Sequence, residues 1–189
     1  MKSARKKLII TIIIVLAVIG VLFAQGYDFM PKGGSDILLE VLDKCKNCDD
    51  IKNIVTTKRT QDEWKKYFSD KGALSGLSDK EVTTLVNYLA INMPIPQNKL
   101  PRRYNVNTLP PSGRLIAEER CTLCHPINVA MLERRTYVAW YNLLVHSGDH
   151  NIIEHTEQEW DTLAHYLTAN APIPKESLPP ELRELPPSY

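Results

Sequence analysis

The chain is written twice. Cys45, Cys48, Arg59, Thr60 and Trp64 return at one constant offset, without a gap, as Cys121, Cys124, Arg135, Thr136 and Trp140, and Gly72 returns as Gly148. After a short slip, Tyr88-Leu89 returns as Tyr166-Leu167, Pro94-Ile95-Pro96 as Pro172-Ile173-Pro174, and Leu100-Pro101 as Leu178-Pro179. The ends agree as well: Leu109-Pro110-Pro111-Ser112 stands against Leu185-Pro186-Pro187-Ser188. A self-similar chain must fold as repeated units, so this pattern sets the architecture before any single element is assigned. It implies two units of roughly 75 residues, each too small for a large core. We place them at 36–111 and 112–189, after an N-terminal segment at 1–26 and a Gly/Pro spacer at 27–35. Most of the 13 prolines lie in 94–111 and 172–187, so each unit closes with a proline-rich wrap.

Each unit reads as three short helices, and no alternating strand of any length is present, so the fold class is all-α. The first helix runs Asp36 to Lys44, with Ile37, Leu38, Val41 and Leu42 on one face; its counterpart runs Arg114 to Arg120. The second starts at Thr60, where Glu63 three residues on completes a capping box. Its counterpart starts at Thr136, which lacks the glutamate. The third starts at Ser78 with Glu81, and at Thr156 with Glu159. Trp160, Leu163, Ala164 and Leu167 keep helical spacing after that cap. Trp64, Trp140, Tyr88 and Tyr166 recur in step and read as core packing, with Trp140 also placed to face a bound group.

The chemistry is concentrated in Cys121-Thr122-Leu123-Cys124-His125. This Cys-x-x-Cys-His run is the attachment pattern for haem c. Two thiols one turn apart can each form a thioether to the porphyrin, and the following imidazole can ligate the iron. The expectation is one covalent haem c, bound by Cys121 and Cys124 with His125 as the proximal iron ligand. The first unit has Cys45-Lys46-Asn47-Cys48 followed by Asp49. A carboxylate replaces the imidazole there, so this unit is expected to carry no haem. The four cysteines of the chain form just these two pairs. A disulfide is the expected state of Cys45 and Cys48. A thioredoxin-like role lacks its βαβ context, and a zinc site lacks further ligands.

All five histidines lie in the second unit. The sixth position of the iron is therefore assigned to that unit. His146, at the end of the Trp140 helix, is the first distal candidate and His150 the second. His155 and Met131 stand behind them, although Met131 lies close to the proximal turn, and an open iron is the remaining option. His165 falls off the apolar face of the last helix and reads as solvated. Arg135 could pair with a haem propionate. Arg59 stands at the same place in the haem-less unit, so a structural role beside the threonine cap is equally open.

Lys2, Arg5, Lys6 and Lys7 precede an apolar run from Leu8 to Ala24. That order places the start of the chain in the cytoplasm and the rest across the membrane. The run of about 17 residues is near the lower limit for spanning as a helix. A bulky Leu22 disfavours cleavage after Ala24, so an uncleaved transmembrane anchor is favoured over a signal peptide. Either one delivers the remainder to the oxidising, periplasmic or extracytoplasmic side, where disulfides persist. The net charge of +1 gives no reason to expect nucleic acid.

The second unit resembles a small class I-type cytochrome c domain. It is similar to the haem domains of quinohaemoprotein amine dehydrogenases. The similarity rests on Cys121 to His125, on Arg134-Arg135-Thr136 leading to Trp140, and on Tyr166-Leu167-Thr168 before a proline. It covers roughly residues 36–189 as two copies, the first degenerate at Asp49. The methionine frequent in that family past the tryptophan is missing; His146 and Ser147 occupy the region, which favours bis-histidine ligation. The resemblance implies a membrane-anchored electron carrier, or an electron-transfer subunit of a respiratory or dehydrogenase complex, with redox proteins as partners. A haem-based sensor module, a peroxidase-like enzyme with an open distal site, and a structural subunit are the competing readings.

Overall fold

In the computed structural model, the described residues are 26–148, 150 and 154–184. Their regular elements are all helices, with no strand among the described residues. The first unit contains α1 (Gly34–Lys44), α2 (Ile51–Val55), α3 (Gln61–Asp70) and α4 (Asp79–Asn92). The second contains α5 (Gly113–Arg120), α6 (Asn128–Met131), α7 (Tyr137–His146) and α8 (Glu157–Asn170). The anchor expected over Leu8 to Ala24 lies outside the described residues. Among those described, no helix is long and apolar enough to cross a membrane.

The caps fall where the sequence places them. Thr60 with Glu63, Ser78 with Glu81, and Thr156 with Glu159 form complete capping boxes at α3, α4 and α8. Thr136 caps α7 alone, its hydroxyl oxygen accepting from the Ala139 N–H at 3.3 Å. The first helices begin earlier than Asp36 and Arg114. The Gly33 N–H donates to Asp36 Oδ2 at 3.0 Å, and Ser112 Oγ accepts from the Leu115 N–H at 3.4 Å. Those bonds satisfy orphan donors of the first turn and move each start to a glycine.

Among the described residues each unit has four α-helices, not the three expected. The additional pair, α2 and α6, is only one turn long. Asp50 starts α2 by accepting from the Asn53 N–H at 2.8 Å. Both short helices tie down the proline-rich wraps. The Val55 carbonyl accepts from the Ile95 N–H at 2.7 Å, and the Met131 carbonyl from the Ile173 N–H at 2.9 Å.

There are two cores, one per unit. Ile37, Leu38, Ile54, Trp64, Phe68, Leu85 and Leu89 fill the first. Ile116, Ala117, Met131, Trp140, Trp160, Leu163 and Leu167 fill the second. In each, the first helix crosses the last at very short range. A Cβ on Gly34 would lie 2.2 Å from Tyr88 Cβ, and one on Gly113 2.2 Å from Tyr166 Cβ. No real side chain tolerates that approach, so both crossings require glycine.

The units join as an internal, pseudo-two-fold pair through α4 and α8. Asn92 Nδ2 donates to Thr162 Oγ1 at 3.1 Å, and its repeat mate Asn170 Nδ2 donates to Thr84 Oγ1 at 2.8 Å. All four side chains are buried. Reciprocal contacts between equivalent residues are the mark of an isologous interface. The same reciprocity links the tyrosines to the leading segments. The Tyr88 hydroxyl donates to the Pro110 carbonyl at 2.8 Å, and the Tyr166 hydroxyl to the Pro31 carbonyl at 2.7 Å. Each leader also seats an apolar residue in the opposite core: Met30, 3% exposed, in the second and Leu109, 5% exposed, in the first. The stretch at 27–35 therefore does more than space the chain; it is part of the second unit's packing.

Candidate haem-attachment site

The attachment residues sit where α5 tightens into a single 3₁₀ turn, Cys121–Leu123. The N–H groups of Cys124 and His125 both donate to the Cys121 carbonyl, each at 3.4 Å. The Thr122 hydroxyl donates to the Glu118 carbonyl at 2.6 Å and pins the turn to the helix. The two thiols are unbridged. Cys121 packs against the second core, while Cys124 is exposed. Burial pushes the Cys121 thiol up to about 12. It is therefore held as a thiol at neutral pH.

His125 is half-buried, and its Nδ1 lies 3.1 Å from the Pro126 carbonyl oxygen. A carbonyl only accepts, so Nδ1 carries the hydrogen and the lone pair of the neutral ring is on Nε2. This is the tautomer an iron ligand needs, with the ring oriented by its second nitrogen. Cys124 and His125 border a cleft of about 510 Å³, whose wall also includes Tyr27, Phe29, Ile127 and Leu182. Sequence reasoning gave Tyr27, Phe29 and Leu182 no part in this region. Their only signal was an apolar character that simple spacers and wraps do not need.

The chemistry of this donor set fits haem c: two unbridged thiols one turn apart and an imidazole presenting Nε2. Among the described residues no three His, Cys, Asp or Glu side chains converge as a cage for a bare metal ion. A porphyrin supplies its own equatorial nitrogens and needs no such cage.

The matching turn of the first unit is built differently. Cys45 and Cys48 are joined as a disulfide, with Cα atoms 5.5 Å apart. Asp49, in place of the histidine, donates its N–H to Tyr67 Oη at 2.9 Å. Arg59 lies 4.6 Å from the Tyr67 ring centroid and 4.5 Å from that of Trp64. Arg59 thus serves as an aromatic clamp. Arg135 stands 5.5 Å from the Trp140 ring and donates from Nη2 to Glu133 Oε1 at 2.6 Å. Its Nε is buried without an acceptor, as are the indole N–H groups of Trp140 and Trp160. Arg59 Nη1 and Trp64 Nε1 are in the same condition, so the Arg–Trp couple by itself does not distinguish the two units.

The distal candidates separate. His146 is exposed at the end of α7. His150 is half-buried, with Nδ1 3.0 Å from the Leu143 carbonyl and its ring 6.4 Å from Trp160. His155 lies closer still, 4.3 Å from the Trp160 ring. The fold therefore gathers His150 and His155 around Trp160 and leaves His146 outside that group. The helical spacing alone gives Trp160 no role at the site; it stands where the first unit has Val82, and that exchange is the signal. Met131 is fully buried in the second core, among Trp140, Leu163 and their neighbours. One expectation needs correction: His165 is half-buried rather than solvated. It stacks on Tyr137 at 4.3 Å, and burial lowers its pKa although Asp161, 3.6 Å away, opposes that shift. Compared with family models, with curated proteins and with solved structures, the chain matches none.

Proposed function

We propose that the chain is a membrane-anchored, monohaem c-type cytochrome that passes electrons on the extracytoplasmic side. It would work as a carrier or as a subunit of a respiratory or dehydrogenase complex. One observation carries this reading. Of the two Cys-x-x-Cys turns, only the one followed by histidine keeps both thiols unbridged, with the imidazole Nδ1 3.1 Å from the Pro126 carbonyl oxygen.

In this reading Cys121 and Cys124 hold the porphyrin through two thioether bonds, and His125 Nε2 ligates the iron. The Pro126 carbonyl, 3.1 Å from Nδ1, orients the imidazole. When bound, haem c supplies a one-electron iron couple whose potential follows its axial ligands and burial. His150 or His146 would supply the second iron ligand, and a histidine there would keep the potential lower than a methionine would. The second core, closed by Trp140, Trp160 and Leu144, excludes water from one side of the site. The first unit, bridged at Cys45 and Cys48, braces the second through α4 and α8. The Leu8 to Ala24 run would hold the whole at the membrane.

The test is the chain produced in a host competent for c-type maturation, followed by intact mass and a pyridine haemochrome assay. One haem per chain, six-coordinate, low-spin and reversibly reducible, is expected. A colourless product of unmodified mass would end the proposal. A five-coordinate iron that binds carbon monoxide would move it to the sensor or peroxidase class.

A further inference from the structure

The residues that leave the apolar N-terminal run do not dangle. Gly26, Tyr27 and Phe29 form one wall of the cleft bordered by Leu123, Cys124 and His125. The Arg114 guanidinium donates from Nη2 to the Tyr27 carbonyl at 3.2 Å. Met30 is sunk in the second core, and the Tyr166 hydroxyl holds the Pro31 carbonyl at 2.7 Å. The segment Tyr27 to Pro31 is therefore clamped to the haem-attachment unit rather than to the unit that follows it in sequence.

This clamp has a geometric consequence. From Ala24, the last apolar residue of the run, to the Tyr27 carbonyl held by Arg114 the chain reaches at most about 11 Å, even fully extended. A domain on a longer or free leader could tumble above a bilayer; this one cannot. Leu123, within the attachment turn, is 66% exposed, one of two large apolar side chains so exposed among the described residues. Tyr27 adds an amphipathic ring at the level where aromatic residues favour the headgroup region.

We infer that the Gly26–Pro31 clamp holds the Cys121–His125 turn against the membrane surface, with Leu123 and the Glu181–Leu182 rim facing lipid headgroups. The inference rests on the Leu8 to Ala24 run being an anchor. It places electron entry or exit in the plane of the bilayer, where the reactant is lipid-soluble or itself embedded, and makes the first unit the part that stands away.

The full chain would be reconstituted in vesicles of phosphatidylethanolamine and phosphatidylglycerol. The photoreactive residue p-benzoylphenylalanine would replace either Glu181, on the cleft rim, or Lys46, in the matching turn of the first unit. Both are exposed. After irradiation, intact mass reports lipid adducts whether or not haem is attached. Glu181 is expected to give at least about fivefold more adduct than Lys46, and a flexible Gly/Ser insert of about 20 residues between Gln25 and Gly26 should bring the two to parity. Equal adducts on a chain that floats with the vesicles would overturn the inference and leave the anchor standing. A chain that does not float with them would overturn both, without touching the haem assignment.

Discussion

The two units share a scaffold and differ at a few sites. Their glycine crossings, tyrosine hydroxyl bonds and wrap staples are matched pair by pair, as are the capping boxes of α4 and α8. The differences collect at the Cys-x-x-Cys turn and near it: Asp49 against His125, a disulfide against two thiols, Val82 against Trp160, Phe68 against Leu144. The scaffold pairs are what hold the units to each other. α4 and α8 would lose their partner if either unit unfolded, so the first unit must keep its fold even with no haem to hold. The Cys45–Cys48 disulfide stands in for part of the stabilisation that a covalent cofactor would give. The comparison teaches that the first unit is retained as half of an interface.

The largest effect expected from this contrast is all-or-none. Cys121→Ala with Cys124→Ala, or His125→Ala, should abolish covalent haem. Cys45→Ser with Cys48→Ser should leave one haem per chain and cost about 2 kcal/mol, the entropic value for so short a loop. Asp49→His restores the attachment pattern in the first unit, yet the haem count should stay at one. The turn there is bridged, and its backbone is held by Tyr67 beneath the Arg59 clamp. Intact mass and the haemochrome assay report each case. Two haems in the Asp49→His chain would reduce the difference between the units to a single imidazole.

Next come the glycine crossings, which the comparison says are equivalent. Gly34→Ala should drive a Cβ into Tyr88, and Gly113→Ala into Tyr166. Overpacking of this kind costs about 1–3 kcal/mol, or roughly 3–10 °C in Tm for a chain of this size. Both substitutions should act alike in thermal unfolding followed by circular dichroism. A large loss for one and none for the other would show that the units do not share their load. Gly33 sharpens the point. A Cβ there would lie 2.2 Å from Ser112 Oγ, its own repeat position. At the pseudo-axis only one of two equivalent residues can carry a side chain, so the symmetry is broken there by sterics.

Much of this was legible in the sequence. Thr60, Ser78, Thr136 and Thr156 announce helix starts because an N-cap is a local event. Cys121 to His125 announce the candidate site because its residues lie within five consecutive positions of the chain. What the sequence hid is non-local. Asn92, Asn170, Thr84 and Thr162 look like solvated helix positions until the opposite unit arrives to bond them. Met30 looks like part of a linker because its core belongs to a unit that begins some eighty residues later. The one-turn helices α2 and α6 are too short to show a period. His165 misled because its burial comes from Tyr137 on another helix.

A smaller effect tests the join. Asn170→Ala removes the buried bond to the Thr84 hydroxyl, and Asn92→Ala the one to the Thr162 hydroxyl, which keeps its own bond to the Gln158 carbonyl. Each loss should cost about 1–2 kcal/mol. The pair should be matched in urea unfolding, as reciprocal positions must be. A cost confined to Asn170 would show that the interface is only superficially symmetric.

The smallest expected effect concerns a residue with no counterpart in the first unit. His165 packs on Tyr137, whose hydroxyl donates to Asp161 Oδ1 at 2.8 Å. Burial lowers the folded-state pKa of His165 below its ordinary value, so the fold favours the neutral ring. The stability this protects is complete above the unfolded-state value of about 6.5 and is lost as pH falls through it toward the depressed folded value. His165→Gln removes the titration. Between pH 7.5 and 5.5 the native chain should lose about 1–2 °C more in Tm than the variant, the scale of a fraction of a kcal/mol. The comparison should be run on the His165→Gln and native chains with equal haem content, since loss of haem would swamp so small a slope. Equal slopes would mean that Asp161, 3.6 Å from the ring, supports the imidazolium as well as burial opposes it. This corner of the second unit would then be indifferent to pH, like the first unit, which has no histidine to protonate.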